Sequence, residues 1–139
     1  MPVKRLNPYL TFDGKAEEAI ALYRHTLGAH TESFLRFGEM AGANVPAEYR
    51  ARVAHAELRI GENLLMLNDA APGRQLPAEG NMSVYVEFDG ELELETRFEA
   101  LAAGGRIDMP LQQTSWAERF GILTDRLGVR WMFHCSKQP

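Results

Sequence analysis

Apolar and polar residues alternate in two separate stretches of the chain, and both stretches end on the same three residues. Leu6, Pro8, Leu10 and Phe12 alternate with Asn7, Tyr9 and Thr11 and run into Asp13-Gly14. Met82, Val84, Val86 and Phe88 alternate with Ser83, Tyr85 and Glu87 and run into Asp89-Gly90. Period-two alternation predicts a strand with one buried face, and the shared Phe-Asp-Gly ending predicts an internal duplication. After each Asp-Gly the spacing turns helical. Ala16, Ala19, Ile20, Tyr23 and Leu27 fall on one stripe, as do Leu94, Phe98, Leu101 and Ala102. Asp13 and Asp89 are the expected amino-end caps, and Gly28 and Gly104-Gly105 the expected stops.

Three strands are predicted after each helix. In the first half they are Thr31 to Phe37, Arg52 to Ile60 and Asn63 to Asn68, the last two joined by a tight hairpin at Gly61-Glu62. In the second half they are Arg106 to Met109, Trp116 to Thr124 and Val129 to His134, with Leu127-Gly128 at the matching turn. The fold class this predicts is α+β, with two βαβββ modules whose sheets curl to form a cleft. It is expected as a single domain over residues 1–139, with repeats at 1–69 and 81–139. Residues 70–80 contain Pro72, Gly73, Pro77 and Gly80 and read as the linker. Gly38 to Ala51 is irregular, with one helical turn predicted around Pro46 to Tyr49, and is a candidate lid.

A helix packed on one face of each sheet leaves the other face uncovered. Strand parity turns Leu10, Phe12, Ala56, Leu58, Leu65, Leu67, Val84, Val86, Trp131 and Phe133 toward the helix. The opposite face takes Asn7, Tyr9, Thr11, His55, Glu57, Met66, Asn68, Ser83, Tyr85, Glu87, Arg130, Met132 and His134. Two sheets curled toward each other would line a small-molecule cleft with those residues.

Composition narrows the partners. With 45% apolar residues the chain supports one sizeable core. The net charge of −4 and the scattered Lys and Arg argue against nucleic acid. No apolar run reaches the length of a spanning helix, so no membrane partner is expected. The start, Met1-Pro2-Val3-Lys4-Arg5, lacks the apolar core of a signal peptide, so the expected location is cytoplasmic. Cys135 is the sole cysteine, which excludes an internal disulfide and a multi-cysteine metal site.

Several strings together resemble the PhnB-like branch of the glyoxalase/bleomycin-resistance/dioxygenase (vicinal oxygen chelate) superfamily. They are Pro8-Tyr9-Leu10-Thr11-Phe12 with Gly14, Glu18-Ala19 and Tyr23; Gly28-Ala29; His55-Ala56-Glu57-Leu58; and Leu65-Met66-Leu67-Asn68-Asp69. Met109-Pro110-Leu111, Trp116, Phe120-Gly121, Asp125, Gly128-Val129 and Trp131-Met132 continue the likeness to the end of the chain. Members of this group are also labelled demethylubiquinone methyltransferase-like, but no strand, Gly-rich turn and helix signature of a methyl-donor site is found here. The resemblance implies the two-module fold and a homodimer. In metal-using members, His or Glu occupies inward positions on the first and last strands of each module. The corresponding residues here are Asn7, Met66, Asn81 or Ser83, and Met132. A hard divalent ion needs oxygen or imidazole donors, so neither a metal nor another cofactor is expected.

His55 and Glu57 lie two apart on a strand and point to one face, which suits an acid/base pair, and they are the catalytic candidates. A plain hydrogen-bonded pair on a partly wet sheet is the competing reading. The ligand-binding candidates are Asn7, Tyr9, Met66, Tyr85, Trp116, Arg130 and Met132. Among them Trp116, near Phe120, offers a stacking surface, and Arg130 suits a carboxylate or phosphate. A separate metal centre from His55, Glu57 and His134 is a lesser alternative. Asp69 and Asp125 are expected to cap turns, while Trp131 and Cys135 are expected to pack. The leading functional expectation is metal-independent binding of a small organic molecule. The alternatives are a lyase, isomerase or dioxygenase using an atypical metal site or the His55/Glu57 pair, and a sheet face that serves as a homodimer interface.

Overall fold

The computed structural model describes residues 3–77 and 80–137; positions 78 and 79 of the expected linker lie outside them. The chain divides into two units, residues 1–79 and 80–139. Unit 1 runs β1 Tyr9–Phe12, α1 Ala16–Leu27, β2 His30–Arg36, β3 Val53–Ile60 and β4 Asn63–Asp69. Unit 2 runs β5 Val84–Phe88, α2 Glu91–Ala102, β6 Arg106–Gln112, β7 Arg119–Thr124 and β8 Arg130–Cys135. Each is a βαβββ module with a four-stranded mixed sheet, ordered β1-β4-β3-β2 and β5-β8-β7-β6. The first and last strands of each unit pair in parallel, and the remaining pairs are antiparallel.

The predicted parity holds. Tyr9 pairs with Met66 and Leu10 with Leu67; Tyr85 pairs with Met132 and Val86 with Phe133. On the helix side, Ala56, Leu58 and Leu67 are buried with Ala16, Ala19, Ile20 and Tyr23 of α1. In unit 2, Trp131, Phe133 and Leu123 are buried with Leu94, Phe98 and Leu101 of α2. Phe98 meets Phe133 edge-on at 5.3 Å. Gly121 of β7 admits this helix: a Cβ there would lie 2.8 Å from Leu111 Cδ2 and 3.0 Å from Phe98 Cε2. Burial also raises the Cys135 thiol, in keeping with a packing role.

Two expected caps are corrected. Asp13 lies two residues ahead of the N-cap position Lys15, which makes no side-chain cap bond, and instead pairs with Arg52 at 3.0 Å. Asp89 likewise precedes the N-cap position, which is Gly90, and no side chain caps α2 there. The first N–H of α1 is met from a distance. Asp69, at the end of β4, accepts from Ala16 N–H at 2.9 Å through Oδ1 and from Val53 N–H at 3.0 Å through Oδ2. This buried carboxylate ties helix, β3 and β4 together and does not cap a turn of its own. Asp125 does behave as expected, accepting from Leu127 N–H and Val129 N–H, and also from Trp131 Nε1–H at 2.9 Å. Gly28 closes α1 with φ 70°, and Ala29 N–H returns to Tyr23 O at 3.3 Å.

Three strand starts fall short of the alternation. β1 begins at Tyr9 and β5 at Val84, leaving Leu6 and Met82 exposed. β7 begins at Arg119 because Thr114 Oγ1 accepts from Trp116 N–H and Ala117 N–H, folding that stretch into a turn. The irregular segment contains single 3-10 turns at Phe37–Glu39 and Ala47–Tyr49 and is tied at its neck. Phe37 N–H bonds to Arg52 O, and Arg36 grips Glu17 of α1 through two bonds and Ala51 O through a third. Among the described residues no helix is long and apolar enough to cross a membrane.

Asp69→Ala strands two N–H donors and is expected to cost roughly 2–4 kcal/mol in urea unfolding, against under about 1 kcal/mol for Asp13→Ala, since Asp13 is itself exposed. Equal losses for the two would contradict the bridging role of Asp69. Gly121→Ala overpacks the contact with α2 and is expected to lose roughly 1–3 kcal/mol in the same assay.

Candidate functional site

On the helix-free face of unit 1, the parallel register sets Tyr9 beside Met66, and the antiparallel one sets Glu57 on the far side of Met66. His55 follows on the same face of β3. The Tyr9 hydroxyl is 2.9 Å from His55 Nδ1, and His55 Nε2 is 3.0 Å from Glu57 Oε2. A carboxylate only accepts, so Nε2–H of His55 donates to Glu57; the Nδ1 lone pair of the neutral ring then accepts the Tyr9 proton. Both ring nitrogens are engaged within the cluster. Burial, with Glu57 adding its charge, raises the Tyr9 phenol and keeps it a proton donor.

Unit 2 carries a second cluster of the same three residue types. Tyr85 and Glu87 lie on β5 and His134 on β8, with Glu87 paired to His134 across the parallel ladder. The Tyr85 hydroxyl donates to Glu87 Oε1 at 2.8 Å and lies 2.8 Å from His134 Nδ1. Burial first, then the bond to Glu87 and its charge, push the Tyr85 phenol up to about 12. Beside this cluster, and also on the face away from α2, Ala117, Phe120 and Ile122 are buried with Met109 and Met132 packed against them. Trp116 meets Phe120 edge-on at 5.8 Å while staying 61% exposed, and Phe120 meets His134 edge-on at 6.4 Å.

The structure distributes the nine candidate residues unevenly. Tyr9, His55, Glu57 and Met66 come together in unit 1; Tyr85, Trp116 and Met132 share a face in unit 2. Asn7 is committed elsewhere, its amide donating to Leu64 O at 3.0 Å. Arg130 is exposed at the start of β8, opposite Thr124. It adds to the positive field at Asp108, whose carboxyl is lowered mainly by its bonds to Arg106 and Thr124. Glu87 is not among the candidate residues, and His134 enters only as a ligand of the alternative metal centre with His55 and Glu57. Parity had put them on the correct face with Tyr85, but only the β5–β8 register makes them neighbours.

The donor set does not fit a hard divalent ion. Thioethers of Met66 and Met132 stand beside the two tyrosines, and Asn7 is turned to the backbone. Among the described residues no group of three His, Cys, Asp or Glu is placed to hold a metal ion.

The family model described as 3-demethylubiquinone-9 3-methyltransferase matches residues 4–133. Protein YjdN of Escherichia coli is 37% identical, with 96% of each chain covered. Protein PA1353 from Pseudomonas aeruginosa superposes with a TM-score of 0.88 at 37% identity, covering 98% of this chain and 100% of the other. A putative 3-demethylubiquinone-9 3-methyltransferase, PhnB protein, from Bacillus cereus superposes at 0.79 with 28% identity, covering 96% and 100%. At 13% identity, a glyoxylase/bleomycin resistance protein/dioxygenase domain from Frankia shares the fold, with a TM-score of 0.70 and coverage of 99% and 100%. The chain belongs to the PhnB-like family that this model describes, built on the two-module fold of the glyoxalase/bleomycin-resistance superfamily.

Proposed function

We propose that the protein binds a small organic molecule without a metal ion or other cofactor, using the helix-free faces of its sheets. The observation that carries this reading is a thioether, Met66 in unit 1 and Met132 in unit 2, where the resemblance implies a hard-ion ligand, each set beside a tyrosine that is hydrogen-bonded to a histidine. Thioethers and aromatic rings give adaptable apolar contact, while the phenols and imidazoles supply a few oriented polar groups. The methyl transfer in the family's description finds no support in the chain's own geometry. That chemistry would call for a donor pocket, and neither unit has a Gly-rich turn leading from a parallel strand into its helix. We further propose a cytoplasmic homodimer, closed pairing being the commonest assembly.

A second reading rests on Tyr9, His55 and Glu57. Glu57 orients His55, which receives the Tyr9 proton, an arrangement suited to proton transfer in a lyase or isomerase. On that reading Glu57→Gln lowers turnover of a substrate by roughly 10²-fold or more, whereas simple binding leaves no turnover to lose.

Thermal shift against small aromatic and dicarbonyl compounds, run with and without a chelator, tests the binding proposal. A ligand at about a hundredfold over its Kd adds roughly 2.7 kcal/mol of stability. The expected result is a shift that the chelator leaves unchanged, in protein carrying far less than one equivalent of divalent metal. A stoichiometric metal whose removal abolishes the shift would contradict it.

A further inference from the structure

The two Tyr-His-Glu clusters are wired in opposite directions. In unit 1 the carboxylate sits on His55 Nε2, so the imidazole is held between Glu57 and Tyr9 with no nitrogen left over. In unit 2 the carboxylate accepts a hydrogen bond from the Tyr85 hydroxyl, and the same Oε1 lies 3.5 Å from His134 Nδ1. Tyr85 has only that one proton, so its oxygen must accept from His134, whose hydrogen therefore resides on Nδ1. The Nε2 of neutral His134 then carries a lone pair. It points away from Tyr85 and Glu87 on the far side of the ring, and no hydrogen-bond partner for it occurs among the described residues. The raised Tyr85 phenol keeps this arrangement in place, because the residue stays protonated and continues to feed Glu87.

What adjoins His134 identifies the ligand chemistry. Phe120 meets the imidazole edge-on, Trp116 meets Phe120 edge-on, and Met132 packs into the same apolar cluster. A basic nitrogen beside aromatic and thioether side chains is complementary to a flat unsaturated ring bearing an O–H. We infer that unit 2 contains a binding site in which His134 Nε2 accepts a hydrogen bond from the hydroxyl of a phenol-class ligand whose ring lies against Phe120, Met132 and Trp116. Tyr85 and Glu87 are the positioning residues, because they fix the imidazole's proton on Nδ1 and so leave Nε2 as acceptor. The inference rests on the small-molecule reading and gives it a substrate class and an anchor outside the His55/Glu57 pair.

Calorimetric titration with 4-methylphenol and with toluene, which differ by the hydroxyl alone, tests it at a mildly basic pH where phenols keep their proton and imidazoles are neutral. The parent protein is expected to bind 4-methylphenol about tenfold more tightly than toluene, the value of one hydrogen bond. His134→Phe should erase that preference while keeping the toluene affinity. Tyr85→Phe combined with Glu87→Leu, which leaves neither hydroxyl nor carboxylate facing Nδ1 and so frees the imidazole to exchange its proton between nitrogens, should reduce the preference by several-fold. It also serves if His134→Phe does not fold. Equal binding of the two compounds by the parent, no binding of either, or a hydroxyl preference that survives in both variants would each overturn the inference. If neither probe binds while another compound stabilises the protein, the inference falls and the small-molecule reading stands. If no compound stabilises it, the reading itself falls.

Discussion

The parallel pairing of first and last strand in each unit is the constraint on which the rest of the structure depends. It aligns Tyr9 with Met66 and Tyr85 with Met132, and so decides which side chains meet on each helix-free face. A slip of β1 or β5 by one residue would turn Leu10 and Val86 away from the cores and bury Tyr9 and Tyr85 in their place. The register is held from the core side. Leu67 and Phe133 are fully buried, and in unit 1 Asp69 locks the end of the ladder by accepting from both α1 and β3. Burial on one face thus fixes chemistry on the other.

The same scaffold carries different chemistry in its two copies. The position opposite Met66 on β3 is Glu57, and its equivalent opposite Met132 on β7 is Ile122. Thr11 pairs with Asn68 where Glu87 pairs with His134, and Phe12 pairs with Asp69 where Phe88 pairs with Cys135. The carboxylate and the imidazole have therefore changed strands between the copies, while the tyrosine has stayed in place. Unit 1 gathers its polar groups on the antiparallel β3. Unit 2 puts them on the parallel pair and leaves β7 to Phe120 and Ile122.

Much of this was legible in the residues. Period-two alternation and the repeated Phe-Asp-Gly predicted both modules and sorted nearly every strand residue to its face, because parity needs only the strand's phase. What alternation does not encode is which strand neighbours which. The Tyr85, Glu87 and His134 cluster depends on a parallel pairing across 49 residues, and the cap that Asp69 supplies to α1 spans 53. Local cap rules favoured Asp13 and Asp89 for the same reason: they consider only neighbours in sequence. The strand expected from Trp116 failed on a local signal that was present, Thr114, whose hydroxyl competes for the backbone and makes the turn.

The central claim is that one scaffold holds two Tyr-His-Glu clusters with reversed hydrogen-bond direction. Long-range proton–nitrogen NMR of the histidine rings in the ligand-free protein, at a pH where both are neutral, measures this most directly. The account predicts opposite tautomers, with His55 protonated on Nε2 and His134 on Nδ1. The same tautomer at both histidines, or the reverse assignment, would contradict it.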